Sequence, residues 1–110
     1  PYLVSRSYAW VKQKPEYVRR AGYVLMATAA IHDKSAPDQQ FLNFLPTLRS
    51  GMTDDRNYVK KGVSLSFRQI GKRNPTLQAA VLDCVSPLLT SQDITIKWIA
   101  KDVFRELANR

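Results

Sequence analysis

Apolar residues recur along this chain three and four positions apart, and breaks in that pattern divide it into six segments. Leu3, Val4, Ser7, Tyr8 and Val11, broadened by Trp10, predict a first helix from Pro1 to about Lys12. Proline is permitted in a first turn. Gln13-Lys14-Pro15 ends it, because the residue before a proline is pushed out of the helical region. Pro15 then opens a second helix to about Ile31, with Val18, Gly22, Leu25, Met26, Ala29 and Ala30 inside. Gly22 costs roughly 1 kcal/mol against alanine, which close approach of a neighbouring helix would offset. After a polar loop over 32–37, Asp38 caps a third helix to Ser50 through Phe41, Leu42, Phe44, Leu45 and Leu48. Pro46 lies inside it and Gly51 stops it.

Thr53, Asp54 or Asp55 is expected to cap the fourth helix, which runs from Asp54 to Asn74. Asn74 as cap and Pro75 in the first turn open a fifth, to Leu89, through Leu77, Ala80, Val81, Cys84, Val85 and Leu88, with Pro87 inside. Thr90 to Asp93 is a capping loop. Ile94 to Leu107 is a sixth helix with Ile96, Ile99, Ala100, Val103, Phe104 and Leu107 inward. No stretch alternates with a period of two and no Asn-Gly hairpin occurs, so the fold class is all-α.

The fourth helix has two unlike sides. At about 100° per residue, Val59, Val63, Ser66, Phe67 and Ile70 share one side. Lys61, Leu65, Arg68 and Lys72 fall within about 40° of one another on the opposite side. After Asp55 this segment holds no acid until Asp83. A stripe of one sign can be a solvated face or a surface for a long anion, above all a nucleic acid.

Composition sharpens the second alternative. Seventeen Lys and Arg against nine Asp and Glu leave a net charge of +8 on 110 residues. The apolar share of 45% supports a folded core. The single cysteine, Cys84, excludes an internal disulfide and a cysteine metal cluster, reads as a buried small hydrophobe, and suits a reducing cytoplasm. His32 stands alone in a loop, and no pattern points to a metal or a cofactor. No run of eighteen apolar residues marks a membrane span and no signal peptide is seen. Because the chain opens on Pro1 inside helical sequence, its N-terminal edge is expected to be a cut face.

The even-numbered segments align with one another. Tyr17-Val18-Arg19-Arg20 matches Tyr58-Val59-Lys60-Lys61 at an offset of forty-one, and Thr95-Ile96-Lys97-Trp98 follows thirty-seven later. Met26-Ala27, Phe67-Arg68 and Phe104-Arg105 then coincide, and Leu45-Pro46-Thr47-Leu48 aligns with Ser86-Pro87-Leu88-Leu89 at forty-one. A helix pair recurring every forty or so residues predicts an α-α superhelix of three antiparallel pairs, over about 1–33, 38–74 and 75–110. The pairs stack in one direction, so the first would leave an apolar face uncovered, open to self-association.

The leucine-proline of the first helix of a pair, the acid in the turn and the Val-Arg or Val-Lys opening the second resemble HEAT repeats. Tyr58 to Asn74, YVKKGVSLSFRQIGKRN, resembles the corresponding helix of the DNA alkylation repair enzyme family. Trp98 to Leu107, WIAKDVFREL, resembles its closing helix, and Pro15 to Leu25, with VRRAG, fits the repeat between. The resemblance implies the C-terminal half of a HEAT-like-repeat DNA glycosylase. Such enzymes release purines alkylated at N3 or N7 from duplex DNA held in a basic concave groove, without extruding the lesion into a pocket. It implies that Arg20 contacts the DNA backbone beside the lesion. The stripe residues Lys61, Arg68 and Lys72 are expected to join it or to form a solvated face, with Arg73 beside them at a helix end where the dipole also favours a cation. Leu65 takes a position that is usually tryptophan. The family's catalytic aspartate and a second tryptophan lie upstream of Pro1, so no catalytic residue is assigned and enzyme activity is left open. Asp54, Asp55 and Asp93 sit where turns and caps want them. Trp98 occupies the repeat position of Arg20 and Lys61, as a stacking residue or an end cap. Two functions remain open: an alkylpurine glycosylase, and a noncatalytic HEAT-repeat module holding DNA or a protein.

Overall fold

The computed structural model describes residues 2–109, so the expected roles of Pro1 and Arg110 lie outside it. The described residues form α1 (Tyr2–Val11), α2 (Glu16–His32), α3 (Asp38–Gly51), α4 (Asn57–Gly71), α5 (Pro75–Val85) and α6 (Ile94–Leu107), with a 3-10 turn at Ser86–Leu88. No strand occurs among them.

Successive helices run antiparallel. The backbone of Ser7 and Val11 lies against Gly22, early in α2. Asn74, just past α4, donates to the Asp38 carboxylate that opens α3, at 2.9 Å. Gln78, early in α5, donates to the carbonyl of Leu107, the last residue of α6, at 2.8 Å. Helices α2, α4 and α6 lie side by side in the same direction, and α4 is the middle one. Glu16 meets Tyr58, Ser66 meets Tyr23 and Arg73 meets Ala30, at separations of 42 and 43 residues. Ser64 meets Asp102 at a separation of 38. These spacings track the repeat offsets in the sequence, so the repeat is a physical translation of one helix onto the next. The result is a HEAT-like slab two helices thick, with extents of 36 × 34 × 17 Å.

The core lies between the layers. Phe41, Phe44 and Leu48 of α3, Val59, Val63, Phe67 and Ile70 of α4, Leu77, Val81 and Val85 of α5, and Ile96, Ile99, Val103 and Leu107 of α6 are buried. Phe104 is half-buried and packs against the core. Leu42, Leu45, Ala80, Cys84, Leu88, Val18 and Leu25 are also half-buried, whereas Tyr23, an unforeseen core residue, is 4% exposed. Trp10 is half-buried and lines a shallow apolar hollow with Tyr17, Val18 and Ala21. Tyr2, Leu3 and Tyr17 are exposed.

The end of α3, the end of α5 and the start of α4 differ from those read in the sequence. Gly51 belongs to α3, and Pro46 is accommodated inside that helix with its ring exposed. Helix α5 ends at Val85, and the chain tightens into the 3-10 turn at Pro87, which has no N–H to continue an α-helix. Helix α4 begins at Asn57, after Arg56 as its N-cap, and no side chain of Thr53, Asp54 or Asp55 caps it. The Asp54 carboxylate is instead turned toward Arg56 and Arg19, at 2.8 and 3.0 Å. The carboxylate of Glu16 fills the vacancy, accepting from the Tyr58 N–H at 3.0 Å. Helix α2 thus caps its neighbour, and the anion also favours the positive end of the α4 dipole. Asn74 and Asp93 cap α5 and α6 as expected.

Candidate nucleic-acid interface

Register across the inner layer carries α2, α4 and α6 positions into rows. Tyr58, Lys61, Leu65, Arg68 and Lys72 stand three or four residues apart along α4 and share one side of it. Arg20 lies beside Lys61, for a Cβ built on Gly62 would lie 3.5 Å from the Arg20 carbonyl oxygen and Cγ. Arg20, Val24, Tyr58, Lys61, Gly62 and Leu65 together line a hollow of about 250 Å³ between α2 and α4. Arg20, Tyr58 and Lys61 are exposed, while Leu65 is half-buried. The Arg20 guanidinium lies 6.0 Å from the Tyr58 ring centre. Among the described residues, no acid pairs with Arg20 or Lys61. The upper half of the stripe is therefore two open cations around an apolar floor.

The lower half is different. Arg68 Nε lies 3.8 Å from the Asp102 carboxylate of α6 and 3.3 Å from Ser64 Oγ. Ser64 donates to the same carboxylate at 2.6 Å, and Arg105 approaches it at 3.5 Å. Lys72 pairs with Glu106. These cations face the groove already engaged by α6.

A family model described as DNA alkylation repair enzyme matches residues 3–84. The chain belongs to this family. Its functional class is DNA alkylation repair. The DNA alkylation repair match spans α1 to α4 and most of α5, and so contains Arg20, Lys61, Leu65, Arg68, Lys72 and Arg73. It stops before α6, so the likeness of Trp98 to Leu107 to the family's closing helix lies beyond the matched residues. No curated protein and no solved structure matches the chain.

Within this family member Arg73 is set apart from the other stripe residues. Its Nη1 donates to the carbonyls of Ala30 and Asp33, both at 2.9 Å, and Nη2 donates to Ala36 at 3.2 Å. Its guanidinium carbon lies 4.1 Å from the centre of the Phe41 ring. The guanidinium holds the end of α2 to the loop before α3, because the carbonyls of Ala30 and Asp33 at the α2 terminus and of Ala36 in the loop converge on it. Arg73, expected beside the stripe at the helix end, thus has its guanidinium engaged by backbone carbonyls. Beside it, Lys34, Gln69 and Lys72 line a polar hollow of about 360 Å³ with Ala30, Ile31, Arg73 and Asn74. Lys34 is exposed in the loop after α2 and escaped the helix-face reading because it lies on no helix.

On α6, Trp98 is 37% exposed and the Lys60 ammonium sits 4.6 Å from its ring centre. The indole therefore faces solvent with a cation already against it. Tyr58 was legible in principle, since it stands three residues before Lys61 and seven before Leu65 on the same stripe. Away from the groove, a hydrogen bond from Arg56, with further bonds from its backbone and from Arg19, lowers the Asp54 carboxyl from 3.8 to about 2 against the opposing pull of burial. Burial pushes the Cys84 thiol up, which disfavours the thiolate a nucleophile needs. No cluster of His, Cys, Asp or Glu among the described residues could hold a metal ion. No described helix is long and apolar enough to cross a membrane.

Proposed function

We propose that the face built by α2, α4 and α6 holds double-stranded DNA carrying alkylated bases. On this reading the chain is the groove-bearing part of a HEAT-like-repeat DNA glycosylase that releases N3- or N7-alkylated purines. The observation that carries it is the pair of open cations, Arg20 and Lys61, flanking Leu65 on adjacent parallel helices. Parallel helices in register repeat a cation at the spacing of a groove wall, and guanidinium can hold a phosphate through two N–H groups. Arg68 and Lys72 extend the row once phosphate competes with Asp102 and Glu106 for them.

The chemistry asked of the protein is modest. A purine alkylated at N3 or N7 is cationic and leaves readily, so positioning and charge stabilisation near the sugar suffice. Leu65 supports this by excluding water, but an aliphatic side chain offers no ring face to a cation. A second reading, a noncatalytic module that binds DNA or a protein, is favoured by that substitution and by Asp102. Its carboxylate, next to the stripe, is held by Ser64, Arg68 and Arg105. Release of N7-methylguanine from alkylated duplex separates the two, measured for the full protein with and without Leu65→Trp. Release by either form supports the glycosylase. No release by either form, with duplex binding intact, supports the module.

A further inference from the structure

The hollow between α2 and α4 has a chemistry of its own. Val24, Gly62 and Leu65 make its floor, Tyr58 contributes an aromatic wall, and Arg20 and Lys61 stand on its rim. Gly62 contributes no side chain, so the floor stays open between two helices. At about 250 Å³ it falls below the roughly 300–1,000 Å³ of small-molecule pockets, enough for one flat ring rather than a whole ligand. Tyr17 packs against Tyr58 with ring centres 5.3 Å apart, so a second ring backs the wall. A rigid ring beside an apolar floor suits stacking of a nucleobase, and two cations at the mouth suit its phosphates. The same two cations repel a positively charged ring, so the occupant is neutral.

Resting on the DNA-holding role of this face, we infer that the hollow receives a single unpaired, neutral nucleobase, stacked on Tyr58 with its phosphates on Arg20 and Lys61. The site therefore recognises a disrupted base pair through the undamaged, extrahelical base, separately from any chemistry on an alkylated one. Leu65 is what keeps it open. A tryptophan there would place an indole in the space the base occupies.

The probe is a labelled duplex carrying one unpaired adenine, compared by anisotropy with its fully paired counterpart. One stacked base is worth on the order of 1–3 kcal/mol, and half-open stacking takes the lower part of that range. The expected preference for the unpaired duplex is therefore about tenfold. Tyr58→Ala and Leu65→Trp should abolish the preference, read as the ratio of the two affinities so that a change common to both duplexes cancels, and Tyr58→Phe, which retains the ring, should keep it. Tyr58 is 44% exposed, so thermal melting should report folded variants. Equal affinity of the unaltered protein for both duplexes overturns the hollow as a base site and leaves the groove standing. So does a preference that survives both Tyr58→Ala and Leu65→Trp. Failure to bind either duplex overturns the groove itself, and this inference with it.

Discussion

The acids of α6 make the sharpest quantitative test of how the groove is arranged. Asp102 and Glu106 hold Arg68 and Lys72, the two cations of the lower stripe. The pairs are partly exposed, with side-chain accessibilities of 26–28% for Arg68 and Asp102 and 27–37% for Lys72 and Glu106. Exposed pairs of this kind are worth about 0.2–1 kcal/mol each, and DNA must give up both when phosphate replaces carboxylate. Replacing Asp102 by Asn and Glu106 by Gln removes that competition at nearly unchanged shape, and Asn still accepts from Ser64. Two pairs at about 0.5 kcal/mol each sum to about 1 kcal/mol, or roughly fivefold in affinity. Two negative charges within a Debye length of the DNA backbone, about 10 Å at 0.1 M salt, also disappear. The double variant should bind duplex about five- to tenfold more tightly in an anisotropy titration at about 0.1 M salt, with less than about 1 kcal/mol lost in folding stability. Unchanged or weaker binding would refute the reasoning, because α4 and α6 would then not share the DNA-facing surface.

Other consequences follow from particular contacts. Arg73→Ala should cost about 2–3 kcal/mol in chemical denaturation, since three carbonyls lose a charged donor. The folded fraction should still bind duplex, whereas Lys61→Glu should weaken binding without unfolding the chain. Gly22→Ala and Gly62→Ala should move stability in opposite directions. A Cβ at Gly22 would lie 2.6 Å from the Val11 nitrogen and force α1 from α2, costing about 1–3 kcal/mol. A Cβ at Gly62 meets nothing closer than 3.5 Å, and the helix gains up to about 1 kcal/mol from losing a glycine. Asp54, whose folded pKa of about 2 lies below the ordinary 3.8, contributes stability that is complete above 3.8 and is lost as pH falls through about 2. The lowered pKa corresponds to at most about 2 kcal/mol, and about 1 kcal/mol after solvent screening. Urea titrations of the unaltered protein and Asp54→Asn should differ by that amount near pH ~7 and converge toward pH ~2.

Helix positions and repeat register were legible because both are written in local periodicity. Val59, Val63, Phe67 and Ile70 had to face inward wherever α4 packed, and the offsets of forty-one and thirty-seven already carried the parallel inner layer. What escaped depended on which chain segments meet. Arg73 shares a helix end with Lys72, yet the carbonyls of Ala30, Asp33 and Ala36 draw it inward. Nothing near Tyr58 in sequence shows that its N–H is capped by Glu16, forty-two residues earlier. Asp102 and Glu106 were legible as partners along α6, through i,i+3 and i,i+4 spacing, but their pairing with Arg68 and Lys72 needs α6 laid against α4. Tyr58 was on the stripe all along. Its 44% exposure on that side of α4 assigns it to the groove face.

The central claim is that Arg20, Lys61, Arg68 and Lys72 meet DNA phosphates. Duplex affinity measured across salt concentration tests it most directly. Each neutralised phosphate contributes about −0.9 to the slope of log affinity against log salt, so four contacts predict about −3.6. A slope near that value, falling by about 0.9 in Lys61→Ala, is the predicted result. Affinity that barely changes with salt would contradict it.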